Sequence, residues 1–231
     1  MEIFQRIEQK YILSEDEYSL LFKRIRKYIT KDYYYKSTIC NIYLDTVNSD
    51  LIVNSIDKAP FKQKIRIRSY NIPNKDDNVF FEIKSKYKSE VFKRRVSMKL
   101  KDIYDYLDDG VIRNSSNNQI MKEIDYIIKK NDLRPMIYLA YDRLSFFATE
   151  NKNFRITFDN NLRSRNDNLR LELGDFGKKY SNNNFYIMEV KSRDSIPIWF
   201  SKILSDLKIY PNSFSKYGSI YMKQMGGAYN V

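Results

Sequence analysis

Charged residues, most of them basic, recur at every second position in four segments of this chain: Lys64-x-Arg66-x-Arg68, Glu82-x-Lys84-x-Lys86, Lys93-x-Arg95 and Glu189-x-Lys191. A two-residue side-chain period belongs to the β-strand and sends each set of charges to one side of a sheet. Ile65, Ile67, Phe81, Ile83, Met188 and Val190 then fall on the opposite side, where they can pack. Such a sheet has one apolar face and one cationic face. Buried ammonium and guanidinium groups without partners are strongly destabilising, so the cationic face must meet either water or a polyanion.

Runs rich in Tyr, Ile, Val and Phe predict strands at about residues 3–12, 38–45, 62–70, 78–87, 91–98, 136–149, 153–159 and 184–192. Helical spacing appears between them. Ser14-Glu15-Asp16-Glu17 reads as a capping box ahead of Tyr18, Leu21, Phe22, Ile25 and Ile29. A second helix is expected over Ser116–Lys130 and a third from Pro197, carrying Phe200, Ile203, Leu204 and Leu207. Strands joined by short polar turns, with helices set apart, predict one antiparallel α+β domain rather than a doubly wound sheet. The 231 residues and 42% hydrophobic content are enough for a single core.

Forty-one Lys and Arg against 29 Asp and Glu give a formal charge of +12, which favours anionic partners. The absence of histidine excludes histidine-containing zinc sites and Ser-His-Asp or Cys-His catalysis. Any metal must be held by carboxylates. The single cysteine, Cys40, reads as a small buried hydrophobe in a strand, in keeping with a reducing compartment. No signal-peptide pattern opens the chain and no apolar run approaches the roughly 20 residues that span a bilayer, so a cytoplasmic protein without a transmembrane segment is expected. The six glycines form neither a P-loop nor a dinucleotide fingerprint, which leaves phosphate recognition to side chains.

Ordered motifs run from Arg6 to about Tyr217: Glu8-x-Lys10-Tyr11, Ile42-Tyr43-Leu44-Asp45, Lys64 to Tyr70, Phe81-Glu82-Ile83-Lys84, Lys93-Arg94-Arg95, Tyr141-x-Arg143, Arg155-x-Thr157-x-Asp159, Glu189-Val190-Lys191 and Ser215-Lys216-Tyr217. In this order they resemble the triphosphate tunnel metalloenzymes, and within them the catalytic domain of the VTC-type polyphosphate polymerases. The resemblance implies an antiparallel eight-stranded β-barrel tunnel with helices packed outside. It implies phosphate ligands at Lys10, Arg66, Arg68, Lys84, Lys93, Arg143, Arg155, Lys191 and Lys216, with Arg95 beside them on the nucleotide. Glu189 and Glu8 are the implied ligands of Mn²⁺ or Mg²⁺.

The activity implied is transfer of the terminal phosphoryl group of ATP to a polyphosphate chain. An inorganic triphosphatase of the same fold and a non-catalytic polyphosphate-binding module are the alternatives. ATP, triphosphate and polyphosphate are the expected ligands, nucleic acid is not, and a separate chain would have to supply any link to a membrane. Arg6-x-Glu8-x-Lys10 stands where the triphosphatase and cyclase branch has Glu-x-Glu-x-Lys, and the exchanged acid favours polymerase over hydrolase. Ser213 stands where some relatives carry a further lysine. Lys64, Lys86, Arg94 and Lys99 are expected to be outward, solvated charges or rim residues instead of ligands, and Asp159 and Glu172 to stabilise loops or pair with Arg163 and Arg165 instead of contacting metal. Glu82 is read equally as a metal ligand or as an ion-pair partner of Lys84 and Arg68. Exchanging Arg66 and Arg68 for alanine is expected to abolish synthesis while leaving the fold intact.

Overall fold

A computed structural model describes residues 7–88, 90–113, 119–193 and 195–226. Arg6 and Ser116 lie outside them. The strands are β1 (Ile7–Ser14), β2 (Ile29–Asp45), β3 (Phe61–Tyr70), β4 (Asn78–Tyr87), β5 (Glu90–Lys99), β6 (Arg134–Ala148), β7 (Arg155–Arg165), β8 (Lys178–Lys179) and β9 (Phe185–Ser192). The helices are α1 (Glu15–Ile25), α2 (Asp50–Ile56), α3 (Leu100–Asp109), α4 (Gln119–Asn131), α5 (Ile198–Asp206) and α6 (Lys216–Gln224).

All strands join one antiparallel sheet in the order β1-β9-β7-β6-β2-β3-β4-β5, with the short β8 beside β7. The expected closed eight-stranded barrel is corrected on this point. Nine strands are present, and no ladder joins the edge strands β1 and β5 among the described residues. Both edges carry cations, Lys10 on one and Lys93, Arg94 and Arg95 on the other, and like charges opposed across a strand pair disfavour pairing. The sheet nevertheless curls. Lys10 of β1 donates to the Phe214 carbonyl at 3.0 Å, and Lys64 of β3 donates to Ser215 Oγ at 3.0 Å, so strands far apart in the ladder reach neighbouring residues.

The alternation sorts the faces as the sequence requires. On the convex side, Ile42, Ile65, Ile67, Phe81 and Ile83 pack against Ile103 and Tyr106 of α3 and Met121 and Ile124 of α4. Tyr11, Phe146, Ile156, Phe158, Met188 and Val190 pack against Leu21 and Ile25 of α1 and Phe200 and Leu204 of α5. A third cluster lies on the concave side, where Phe214, Tyr217 and Ile220 meet Ile39, Leu139, Tyr141 and Ile187. Helix α6, joined in this cluster by Ile52 of α2, therefore covers part of the inner face, while α1, α3, α4 and α5 pack outside.

Local signals explain the element boundaries. Ser14 Oγ accepts from Glu17 N at 3.2 Å while Glu17 Oε2 accepts from Ser14 N at 2.8 Å, the reciprocal capping box foreseen at α1. Helices α2, α3 and α6 were not foreseen. The first is started from a distance by Asp45, whose carboxylate accepts from Leu51 N and Ile52 N at 2.8 and 3.0 Å. Gly110, with φ of 73°, ends α3 in the left-handed region where glycine is favoured. No helix among the described residues is long and apolar enough to cross a membrane.

Candidate functional site: a cationic concave face

Each strand sends alternate residues to the concave face: Glu8 and Lys10 from β1, Lys64, Arg66 and Arg68 from β3, Glu82 and Lys84 from β4, and Lys93 from β5. Arg143 comes from β6, Arg155, Thr157 and Asp159 from β7, and Glu189 and Lys191 from β9. The ladder sets Lys10 opposite Glu189, Glu189 opposite Thr157, and Arg143 opposite Asp159. Register alone thus gathers residues distant in sequence.

Two carboxylate-centred clusters result. At Glu189, Lys216 and Lys10 approach one oxygen at 3.1 and 3.8 Å, and Arg143 and Lys191 approach the other at 3.6 and 3.7 Å. Asp159, fully buried, takes a two-pronged contact from Arg143 at 2.6 and 2.7 Å and a second cation from Lys216 at 2.7 Å. Burial alone would raise both carboxyls, but the surrounding cations hold them below the ordinary range, Glu189 far below. Lys216 occupies the first turn of α6, where the helix dipole disfavours a cation; the two carboxylates offset this.

The second cluster is built on Glu82, which binds Arg66 at 2.6 Å and Lys93 at 2.9 Å, with Arg68 at 4.0 Å. Burial pushes the Glu82 carboxyl up, yet Arg66, Arg68 and Lys93 together bring it down to about 2. Arg66 also donates to Tyr43 Oη at 3.1 Å, and Arg68 donates to Asn41 and Tyr141 at 2.8 and 3.3 Å. The Tyr43 phenol is raised by burial, but Arg66, Arg68 and Lys64 outweigh this and lower it to about 8.

Lys64 and Lys84 differ from these paired cations. Neither forms an ion pair among the described residues. Burial, in company with like charges, lowers both ammonium groups, Lys64 to about 8. The charges acting on Lys84 include Glu8 and Glu189 in one direction and Lys10 and Lys191 in the other, so β4 faces β1 and β9 across the concavity. Such a set is poised to gain from an arriving anion.

A family model of the VTC domain matches residues 5–223. The chain belongs to the VTC-domain family. No curated protein sequence matches it. Among solved structures, a candidate adenylate cyclase of Bacillus halodurans is similar with a TM-score of 0.55 at 14% identity, over 93% of this chain and 94% of that one. A candidate adenylate cyclase of Vibrio parahaemolyticus is similar with a TM-score of 0.48 at 10% identity, over 96% and 99% of the two chains. At these identities the likeness to the first of them concerns fold alone.

Within this VTC domain, the residues singled out from the sequence divide into groups. Lys10, Arg143, Lys191 and Lys216 gather at Glu189, and Arg66, Arg68 and Lys93 gather at Glu82. Lys84 lies between the two groups in the face. Arg155 stands farther out, paired with Asp32 at 2.6 Å, and Arg95 lies exposed over the Phe80 ring at 4.2 Å. Glu8 contacts Lys191 at 3.9 Å and is separated from Glu189 by that ammonium group.

Other readings are corrected. Lys64 faces inward instead of outward, and its place two residues before Arg66 was the signal for this. Asp159 pairs with Arg143 and Lys216; Arg163 instead takes Asp142 and Asp175, and Glu172 takes Arg170. Arg94 does point outward, to Glu123 of α4 at 2.6 Å. Asn41, Tyr43, Tyr141 and Thr157 join the face without having been singled out as ligands. Thr157 Oγ1 is buried, has no hydrogen-bond partner among the described residues and faces the same concavity.

Among the described residues, no three acidic, histidine or cysteine side chains converge on one point. Asp159 and Glu189 meet at Lys216, and cations already contact both Glu189 oxygens. This donor set fits a divalent ion that brings phosphate ligands with it, since Mg²⁺ is commonly held by one or two carboxylates plus substrate phosphates and water. It does not form an all-protein metal cage.

The lowered Lys64 gives a pH prediction with a definite sign. Below about 8 the ammonium is charged and attracts phosphate; above it the charge is lost. Ionisation of Tyr43, also near 8, adds a negative charge in the same range. Tripolyphosphate affinity is therefore expected to fall as pH rises through this value, and titration calorimetry on either side of it will show the loss. Lys64→Arg should flatten that fall, because guanidinium remains protonated.

Proposed function

We propose that this VTC domain binds a linear phosphate chain along its concave face and transfers the terminal phosphoryl group of ATP to polyphosphate. The observation that carries this reading is the Lys64–Lys84 pair, inward-facing cations that lack ion-pair partners among the described residues and stand beside Lys10, Arg66 and Lys191. A concavity of that charge gives up stability in the absence of an anion, and an extended polyanion restores it. The curled sheet supports a tunnel-like course for the chain, bounded by α6 and the segment 214–215.

The acceptor in this reaction is a terminal phosphate oxygen, already anionic, so no general base is required. Its attack on the terminal phosphorus of ATP forms one P–O bond while the bond to ADP breaks and the electron pair leaves on ADP. Guanidinium groups of Arg66 and Arg143 can bind phosphate oxygens in two-pronged fashion, and the ammonium groups of Lys10, Lys84, Lys191 and Lys216 neutralise charge around them. Catalysis of this kind consists mainly of positioning and electrostatic stabilisation. Glu189, with Asp159 close by, would hold a Mn²⁺ or Mg²⁺ ion, which when bound would supply further neutralisation of phosphate charge.

Purified protein incubated with ATP and Mn²⁺ should produce a polyphosphate ladder on a stained gel together with ADP. Phosphate release without chains would instead support a triphosphatase. Binding without turnover would support a polyphosphate-binding module.

A further inference from the structure

We propose that the bulge in β2 is a nucleobase platform, formed by Tyr33 and Tyr34, for a nucleoside triphosphate whose phosphates lie on the concave face. The register of β2 against β6 is regular up to Lys31↔Phe146 and resumes at Lys36↔Leu144, leaving residues 32–35 out of the ladder. Bulges re-aim side chains and are over-represented beside active sites. The present one is held at both ends. Asp32 binds Arg155 at 2.6 Å, while Tyr35 packs edge-on against Phe146 at 5.2 Å with the Lys31 ammonium over its ring at 4.5 Å.

Between these anchors the two middle rings point outward. Tyr33 is 89% exposed and Tyr34 is 65% exposed, and their ring centroids lie 4.8 Å apart in an edge-to-face pair. Neither ring contributes to the clusters that hold the fold together. Exposed aromatic rings of this kind stack with bases irrespective of their identity, because every base has a π-face. The Asp32–Arg155 contact ties the bulge to the cationic face, since Arg155 sits opposite Lys191 in the ladder. A base on the tyrosines and phosphates on Arg155 and Lys191 would therefore belong to one ligand, and Asp32 occupies Arg155 until those phosphates displace it.

The inference rests on the phosphate-site reading above, and the test separates the two. Calorimetric titration with ATP and with tripolyphosphate would compare wild type, Tyr33→Ala/Tyr34→Ala and Tyr33→Phe/Tyr34→Phe. The alanine variant should bind ATP about tenfold more weakly, the phenylalanine variant should bind it like wild type, and all three should bind tripolyphosphate equally. Undiminished ATP affinity in the alanine variant overturns the platform while leaving the phosphate site standing. Equal weakening toward both ligands also overturns it, because the bulge then acts through Arg155 and not on the base. Wild-type protein that binds neither ligand overturns the phosphate site and the platform together.

Discussion

Asp159→Ala is expected to destabilise the fold by about 3 kcal/mol or more, the cost of breaking a buried ion pair on one side. Asp159 is fully buried and is the nearest counter-ion of both Arg143 and Lys216. Without it, only Glu189 remains to compensate them, at 3.6 and 3.1 Å. The urea midpoint measures the loss; a midpoint within about 1 kcal/mol of wild type would mean that the cluster contributes little to folding. The pH dependence has the corresponding sign. Asp159, Glu189 and Glu82 have carboxyl groups held below their ordinary values of 3.8 and 4.5, so their contribution is complete above those values and declines as the medium is acidified toward the lowered ones, about 2 for Glu82.

The paired exchange Lys64→Ala/Lys84→Ala should have the opposite balance of effects. No carboxylate pairs with either ammonium among the described residues, so their removal strands no ion-pair partner; it relieves repulsion from Lys10, Lys191 and Arg66 but gives up the Lys64 contact with Ser215 and the attraction of Glu8 and Glu189 for Lys84. Stability should change little. Hydrogen bonds to charged groups contribute about 1.5–3 kcal/mol each, so losing two should weaken phosphate-chain binding by a hundredfold or more, and synthesis from ATP should fall with it. This exchange is a cleaner test than Arg66→Ala/Arg68→Ala, for which the sequence suggested an intact fold. Arg66 is the principal partner of buried Glu82, and Arg68 is buried on Asn41 and Tyr141, so their joint loss damages packing as well as binding.

The legible and illegible parts of this molecule differ in physical range. Strand alternation depends on neighbours two residues apart, which is why the two faces of β3, β4 and β9 could be read directly. The capping box at Ser14 is equally local. Asp45, by contrast, caps α2 from outside the helix, and Asp159 acquires Lys216 only after α6 has folded over the concave face. Nothing in the local sequence announces either contact. The inward position of Lys64 is, like the capping box, local, since it stands two residues before Arg66 on the same strand. Barrel closure failed as an expectation for a related reason, since hydrogen bonding between β1 and β5 depends on edge-to-edge geometry that alternation within each strand does not determine.

The most direct test of the central claim is calorimetric titration of the wild-type protein and Lys64→Ala/Lys84→Ala with tripolyphosphate over a range of salt concentrations. Wild type is expected to bind with an affinity that falls steeply with salt, and the variant, still fully folded, to bind a hundredfold or more weakly. Wild-type protein that does not bind, or a folded variant that binds undiminished, would contradict that claim.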